Sequence, residues 1–177
     1  NQHVTLENQT KTEALALKER LCFYHANKKT FCYLDIWSDF LRCEHKNIVD
    51  IANNSGYLND LFTWYILSIN TYFKKNKDTS KSFVVDFFSH EFYSNDLTQR
   101  VLDNLLNNND DLIFRIPFDY LNQKSFITLL DKAHRHNNSF LIDIGMKVID
   151  VNLLASSPIV YLEMSGESVA ICNTVLT

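Results

Sequence analysis

The chain has 177 residues, 46% of them hydrophobic, with thirteen Phe and a formal net charge of -4. That length and apolar content support one folded domain with a sizeable core and exclude a disordered chain. The acidic balance supplies no overall basic field for nucleic acid, and no apolar run approaches the ~20 residues that span a bilayer. The polar start NQHVTLENQT lacks the apolar region of a signal peptide. The four cysteines, at 22, 32, 43 and 172, show no C-x-x-C spacing. They argue against structural zinc and for the reduced thiols of a cytoplasmic protein.

In chain order, residues 1–9 read as a linker. Thr10 is placed to cap a helix to about Leu21, with Leu15, Leu17 and Leu21 as its apolar contacts. The aromatic-rich runs 21–26 and 30–37 flank the polar turn Asn27-Lys28-Lys29 and predict a β-hairpin. Ile48, Ile51 and Ala52 predict a helix from Asn47 to about Gly56, which fits a C-cap. A second helix, about 58–74, presents Leu61, Phe62, Tyr65, Ile66, Ile69 and Phe73. SFVVDFF (82–88) is an apolar strand broken by one acid. Ser94 or Asn95 caps a helix over 96–107 with Leu97, Val101, Leu102, Leu105 and Leu106 inward. LIFRIP (112–117) is a strand ended by proline. Asn122 caps a helix over 123–136 with Phe126, Ile127, Leu130 and Ala133 inward. FLIDIG (140–145) and IVYLEM (159–164) are strands, with a helical turn at 150–155 between them. Strands alternating with amphipathic helices predict an α/β fold with a mostly parallel sheet. Trp37 and Trp64 are expected in the core.

The segment Ala52-Asn53-Asn54-Ser55-Gly56-Tyr57-Leu58-Asn59-Asp60-Leu61-Phe62-Thr63-Trp64 resembles a helical stretch of bacterial EAL-domain proteins, roughly A-E-x-x-G-x-I/L-x-x-L-x-x-W. The order of the strands 82–88, 112–117, 140–145 and 159–164 is similar to the family's N-x-S, E-x-x-E, L-D-D-F-G and K-I-D strands. The resemblance covers about Leu21 to Ser165. It implies an EAL-type modified TIM-barrel, incomplete at this length because such barrels run to about 250 residues, with an N-terminal β-hairpin. It divides the chain into an N-terminal helix or linker (1–20) and a degenerate EAL-like domain (21–177). Active members of the family hydrolyse cyclic di-GMP with two Mg²⁺ or Mn²⁺ ions held by carboxylate and amide oxygens.

Carried over by position, the resemblance implies a depleted site. The E-A-L strand falls near Tyr33 to Trp37, where Asp35 is the plausible acid. The asparagine ligand falls on Asp86, the fourth-strand glutamate on Arg115 and the next glutamate near Phe118. The acid pair becomes Ile142-Asp143. The lysine falls on Tyr161 and the following acid on Glu163. The loop Met146-Lys147-Val148 lacks the family's second glycine. A literal Glu13-Ala14-Leu15 lies before the first expected strand and reads as coincidence.

Asp35, Asp86, Asp143 and Glu163 are thus residual candidates for catalysis, with no catalytic or metal site expected. Arg115 is a candidate ligand contact, and its expected role is an internal ion pair with Asp86 or Asp143. Ser89-His90-Glu91, read as strand neighbours on opposite faces, does not form a nucleophile–base pair. His134 and His136 are read as surface histidines of a helix. The expected function is a non-catalytic regulatory domain acting through protein contacts in bacterial motility, adhesion, biofilm or virulence control. Its partner would be a transcriptional regulator or signalling protein, without direct nucleic-acid binding. An open sheet edge would allow a homodimer. No cofactor is expected. The alternatives are a cyclic di-GMP receptor without hydrolysis, or a weak phosphodiesterase that uses Mg²⁺ or Mn²⁺.

Overall fold

The structure is a computed structural model and describes residues 15–24, 28–76, 80–92, 95–120, 124–145 and 159–164. Six strands form one sheet in chain order: β1 (Leu15–Tyr24), β2 (Lys29–Ser38), β3 (Ser82–Asp86), β4 (Ile113–Pro117), β5 (Ser139–Gly145) and β6 (Ile159–Met164). β1 and β2 are antiparallel, and every later pairing is parallel. The helices α1 (His45–Asn54), α2 (Leu58–Lys75), α3 (Asp96–Asn108) and α4 (Lys124–His134) lie between strands, and a 3-10 turn (Phe118–Tyr120) follows β4. Among the described residues the sheet is open, with β1 and β6 at its edges. This is the expected α/β architecture: a hairpin leading into a parallel, unclosed barrel-like sheet.

Alternation along the strands divides the sheet into two faces. Cys32, Leu34, Ile36, Phe83, Val85, Phe114, Ile116, Phe140 and Ile142 pack against the helices in one core. That core is dense in rings. Phe62 lies 5.1 Å from Phe87 and 5.3 Å, edge-on, from Phe88. Each such buried ring contributes roughly 1.5–3 kcal/mol by removal from water. On the opposite face Phe31, Tyr33, Val84, Ile113 and Leu141 form a smaller apolar layer. Two residues further along these strands, the same face carries Asp35, Asp86, Arg115 and Asp143.

The helix expected up to Leu21 is corrected. Residues 15–24 are β1, paired along their length from Leu15↔Ser38 to Tyr24↔Lys29. Ala, Leu, Lys, Glu and Arg are strong helix formers, but Leu15 and Leu17 reach the core only from an extended strand. Strand pairing therefore overrides local propensity.

Three inward assignments are also corrected. Leu97 is exposed, and Thr98 is buried in its place, hydrogen-bonded to Thr63 at 2.6 Å across α2 and α3. Ile127 is exposed beside the buried stripe Phe126, Leu129, Ala133, because it sits about a quarter turn off the packed face. Trp37 is only half-buried, with its indole N–H donated to Asp39 at 2.6 Å.

The cap assignments are clearer. Asn95 accepts hydrogen bonds from the Leu97 and Thr98 amides at the start of α3. Gly56 follows α1 at φ +76, a conformation that favours glycine. Thr10, Glu13, Ala14, Asn27, Ser94, Asn122, the loop 146–148, the turn 150–155, Cys172 and the tail from Ser168 lie outside the described residues.

Candidate functional site

The polar end of the second sheet face is built from strand register. Asp86 ends β3 and is the Cα partner of Arg115 on β4. Asp143 on β5 pairs with Pro117, one diagonal step from Arg115. Diagonal neighbours on one face lie within reach of a long side chain. The Arg115 guanidinium spans both: Nη1 donates to Asp86 Oδ1 at 3.1 Å and Nη2 to Asp143 Oδ2 at 2.6 Å. The internal ion pair expected for Arg115 is therefore present, with both acids rather than one.

Sequence reasoning missed His45, the first residue of α1. Its Nε2 lies 2.6 Å from Asp86 Oδ2, and its Nδ1 accepts the Ile36 amide N–H at 2.9 Å. A backbone N–H only donates, so the ring carries its proton on Nε2 and donates that N–H as a hydrogen bond to the Asp86 carboxylate. The ring packs against Tyr65 and Phe88, with centroids 5.8 and 5.7 Å away, and those two rings also touch each other at 5.4 Å. Tyr65, fully buried, accepts the Asp86 amide N–H at 3.0 Å and donates to the Leu34 carbonyl at 2.6 Å. Asp86 and His45 are 41 residues apart, so no local motif announces the pair.

These contacts set the charge state. Burial raises the Asp86 carboxyl, but the hydrogen bond from His45 and the charge of Arg115 outweigh it and hold it below its ordinary value. Burial, and then the Asp86 charge, push the Tyr65 hydroxyl well above its ordinary value. The same two causes, with Asp119, raise Tyr120 in the 3-10 turn, whose hydroxyl donates to the Phe88 carbonyl at 2.9 Å.

Asp35 belongs to a separate group. Its Oδ2 accepts from Arg20 Nε at 2.6 Å, and the Arg20 guanidinium lies 4.2 Å from the centre of the Tyr33 ring. Glu163 is the backbone partner of Asp143 and Tyr161 that of Leu141. The side chains of β6 lie outside the described residues. Ile142 is fully buried on the helix-packed face and Phe118 packs at the margin of that core, so neither belongs to the polar face.

Ser89, His90 and Glu91 follow the end of β3 rather than lying on a strand. The Ser89 hydroxyl contacts the Asn59 side chain and the Glu91 amide, while the His90 ring lies against Tyr120. His136 falls beyond the end of α4, 3.4 Å from Asp110.

Whether the fold family's divalent ions fit here depends on the carboxylates. Both Asp86 oxygens and Oδ2 of Asp143 already face N–H donors. The Arg115 guanidinium bridges the two carboxylates, and its charge repels a cation. Asp35 is committed to Arg20. Among the described residues no group of three or more His, Cys, Asp or Glu converges as a metal site. The described residues do not fit a two-metal centre.

No family model and no curated protein matches the chain. Solved structures do. The FimX EAL domain from Pseudomonas aeruginosa, bound to c-di-GMP, superposes with a TM-score of 0.65 at 14% identity, covering 98% of this chain and 74% of that one. The PaMucR phosphodiesterase in its c-di-GMP complex gives 0.64 at 11%, covering 93% and 72%. The Vibrio cholerae LapD S helix-GGDEF-EAL structure, bound to c-di-GMP, gives 0.70 at 12%, covering 92% of this chain and 42% of that one. Hairpin, strand order and these superpositions together show that the chain has the EAL-domain fold.

Proposed function

We propose that this chain is a non-catalytic, EAL-fold regulatory domain that works through protein contacts in the cytoplasm of a bacterium, in control of motility, adhesion, biofilm or virulence. The observation that carries the reading is Arg115 bridging Asp86 and Asp143. By the resemblance in sequence, Arg115 stands at a metal-ligating glutamate. A cation there supplies no oxygen ligand and opposes a divalent ion. Without metal-activated water the fold has no route to phosphodiester hydrolysis of the family's kind. A transcriptional regulator or signalling protein is the class of partner that suits such a domain. The sheet edges, open among the described residues, also leave room for a second copy.

The test is purified protein incubated with cyclic di-GMP and Mg²⁺ or Mn²⁺, with the linear dinucleotide followed by chromatography. No turnover is expected, and turnover at ordinary enzyme rates of about 1 s⁻¹ or more contradicts the reading. A second reading, a cyclic di-GMP receptor without hydrolysis, draws support from neighbours seen bound to c-di-GMP and from the partial exposure of Arg115 at the strand ends. Calorimetry separates the two: saturable heat with no linear product selects the receptor, and no heat at high micromolar ligand selects the protein-contact domain.

A further inference from the structure

The face that carries Asp86 and Asp143 brings two acids, one from β3 and one from β5, onto one small area on either side of β4. Asp86 is 12% exposed and Asp143 is 28% exposed. Two carboxylates so placed repel each other and lose hydration, a cost that grows as the surroundings become less polar. Something must neutralise them for the strands to stay in register. We propose that Arg115 is the resident counter-cation of this site: it takes over the structural part of a divalent ion's task, clamping β3 to β5 across β4, so that the fold keeps its strand ends together without metal.

Three observations carry this. The guanidinium uses a different terminal nitrogen for each acid, which is a clamp rather than a single pair. The remaining Asp86 oxygen is fixed by His45, whose own orientation is set by a backbone amide on β2. An oriented histidine behind a carboxylate is the kind of support that second-shell groups give a cation ligand. Arg115 is itself tied into the sheet, since its carbonyl accepts the Phe87 amide at 2.9 Å. Lysine, a point charge on a flexible stem, cannot reproduce the two-pronged contact.

The inference rests on the metal-free reading of the site, yet the two fail separately. Turnover of cyclic di-GMP by the unaltered chain sinks the function, whereas the clamp is decided by stability. The experiment is thermal unfolding of the full chain, Asp143→Asn, Arg115→Gln and the double variant Arg115→Gln/Asp143→Asn, each with Mn²⁺ and with chelator. The unaltered chain is expected to melt at the same temperature in both. Arg115→Gln should melt lower by roughly 4–10 °C, and adding Asp143→Asn should recover at least half of that loss, because one of the two uncompensated acids, and its repulsion of Asp86, is gone.

Two results overturn the clamp. One is Mn²⁺ raising the melting temperature of the unaltered chain in a way that Asp143→Asn alone abolishes. The other is a double variant no more stable than Arg115→Gln. If Arg115→Gln does not fold at all, the double variant still decides: a cooperative transition supports the clamp, and an unfolded chain contradicts it.

Discussion

Between β2 and β5 the sheet presents Leu34, Ile36, Val85, Phe114, Ile116, Phe140 and Ile142 to the helices, each at most 2% exposed. One residue away along the same strands, the other face presents Asp35, Asp86, Arg115 and Asp143. The first face is held by non-directional burial, which tolerates a change of shape if volume and apolarity are kept. The second is held by directed, charge-assisted hydrogen bonds between named atoms, which tolerate almost nothing when one partner is removed. The comparison teaches where an EAL-like fold is free to change. The apolar side must stay, because it is the core. The polar side keeps the fold as long as its charges balance, whether the balancing cation is a metal or an arginine.

The largest expected effect lies on the apolar side. Phe62→Ala removes a fully buried ring from contact with Phe87, Phe88 and Phe92. It should cost about 3–5 kcal/mol, read as a lower urea midpoint with an unchanged slope. Next comes the joint between the two faces. Tyr65→Phe leaves the Asp86 amide and the Leu34 carbonyl without the buried hydroxyl that joins them. It should cost about 1–3 kcal/mol and leave secondary structure unchanged by circular dichroism.

The third prediction concerns pH. The Asp86 carboxyl is held lower in the folded chain than its ordinary value of 3.8. Between those two values the unfolded chain binds more protons, so stability rises with pH there. The stabilisation from Asp86 is complete above about pH 5 and is lost as pH falls through 3.8 toward the lower folded value. Urea midpoints measured from pH 6 downward should therefore fall more steeply for the unaltered chain than for Asp86→Asn. Parallel slopes would remove the charge argument from this residue.

The smallest effect is at the outer pair. Arg20→Ala breaks the ion pair with Asp35 and the stacking on Tyr33. Arg20 is 54% exposed, so solvent screening keeps the loss to about 1 kcal/mol or less.

Much of this was legible in the chain. The strands 82–88, 112–117, 140–145 and 159–164 stand out because a sheet buried on both faces needs unbroken apolar runs. The helix from Leu58 stands out because its apolar face repeats at helical spacing. The single acid in each of SFVVDFF and FLIDIG, with the arginine in LIFRIP, marks the polar face and predicts the pairing of Arg115 with Asp86 and Asp143. What was not legible depends on distance in sequence. β1 carries helix-forming residues and is a strand only because β2 lies beside it. The alternation of Leu15, Leu17, Leu21 and Phe23 was the available signal. His45 has no local signature, since its two partners, Ile36 and Asp86, are brought to it by different strands. The exposure of Leu97 follows from Thr98 finding Thr63 on the neighbouring helix, a contact that helical periodicity along α3 alone does not reveal.

The most direct test of the Arg115 assignment is a crystal of the unaltered chain soaked in MnCl₂ and measured at the manganese absorption edge. The account predicts Arg115 seated on Asp86 and Asp143 and no anomalous peak between the two carboxylates. A peak within about 2.0–2.6 Å of their oxygens, with the guanidinium displaced, would contradict it.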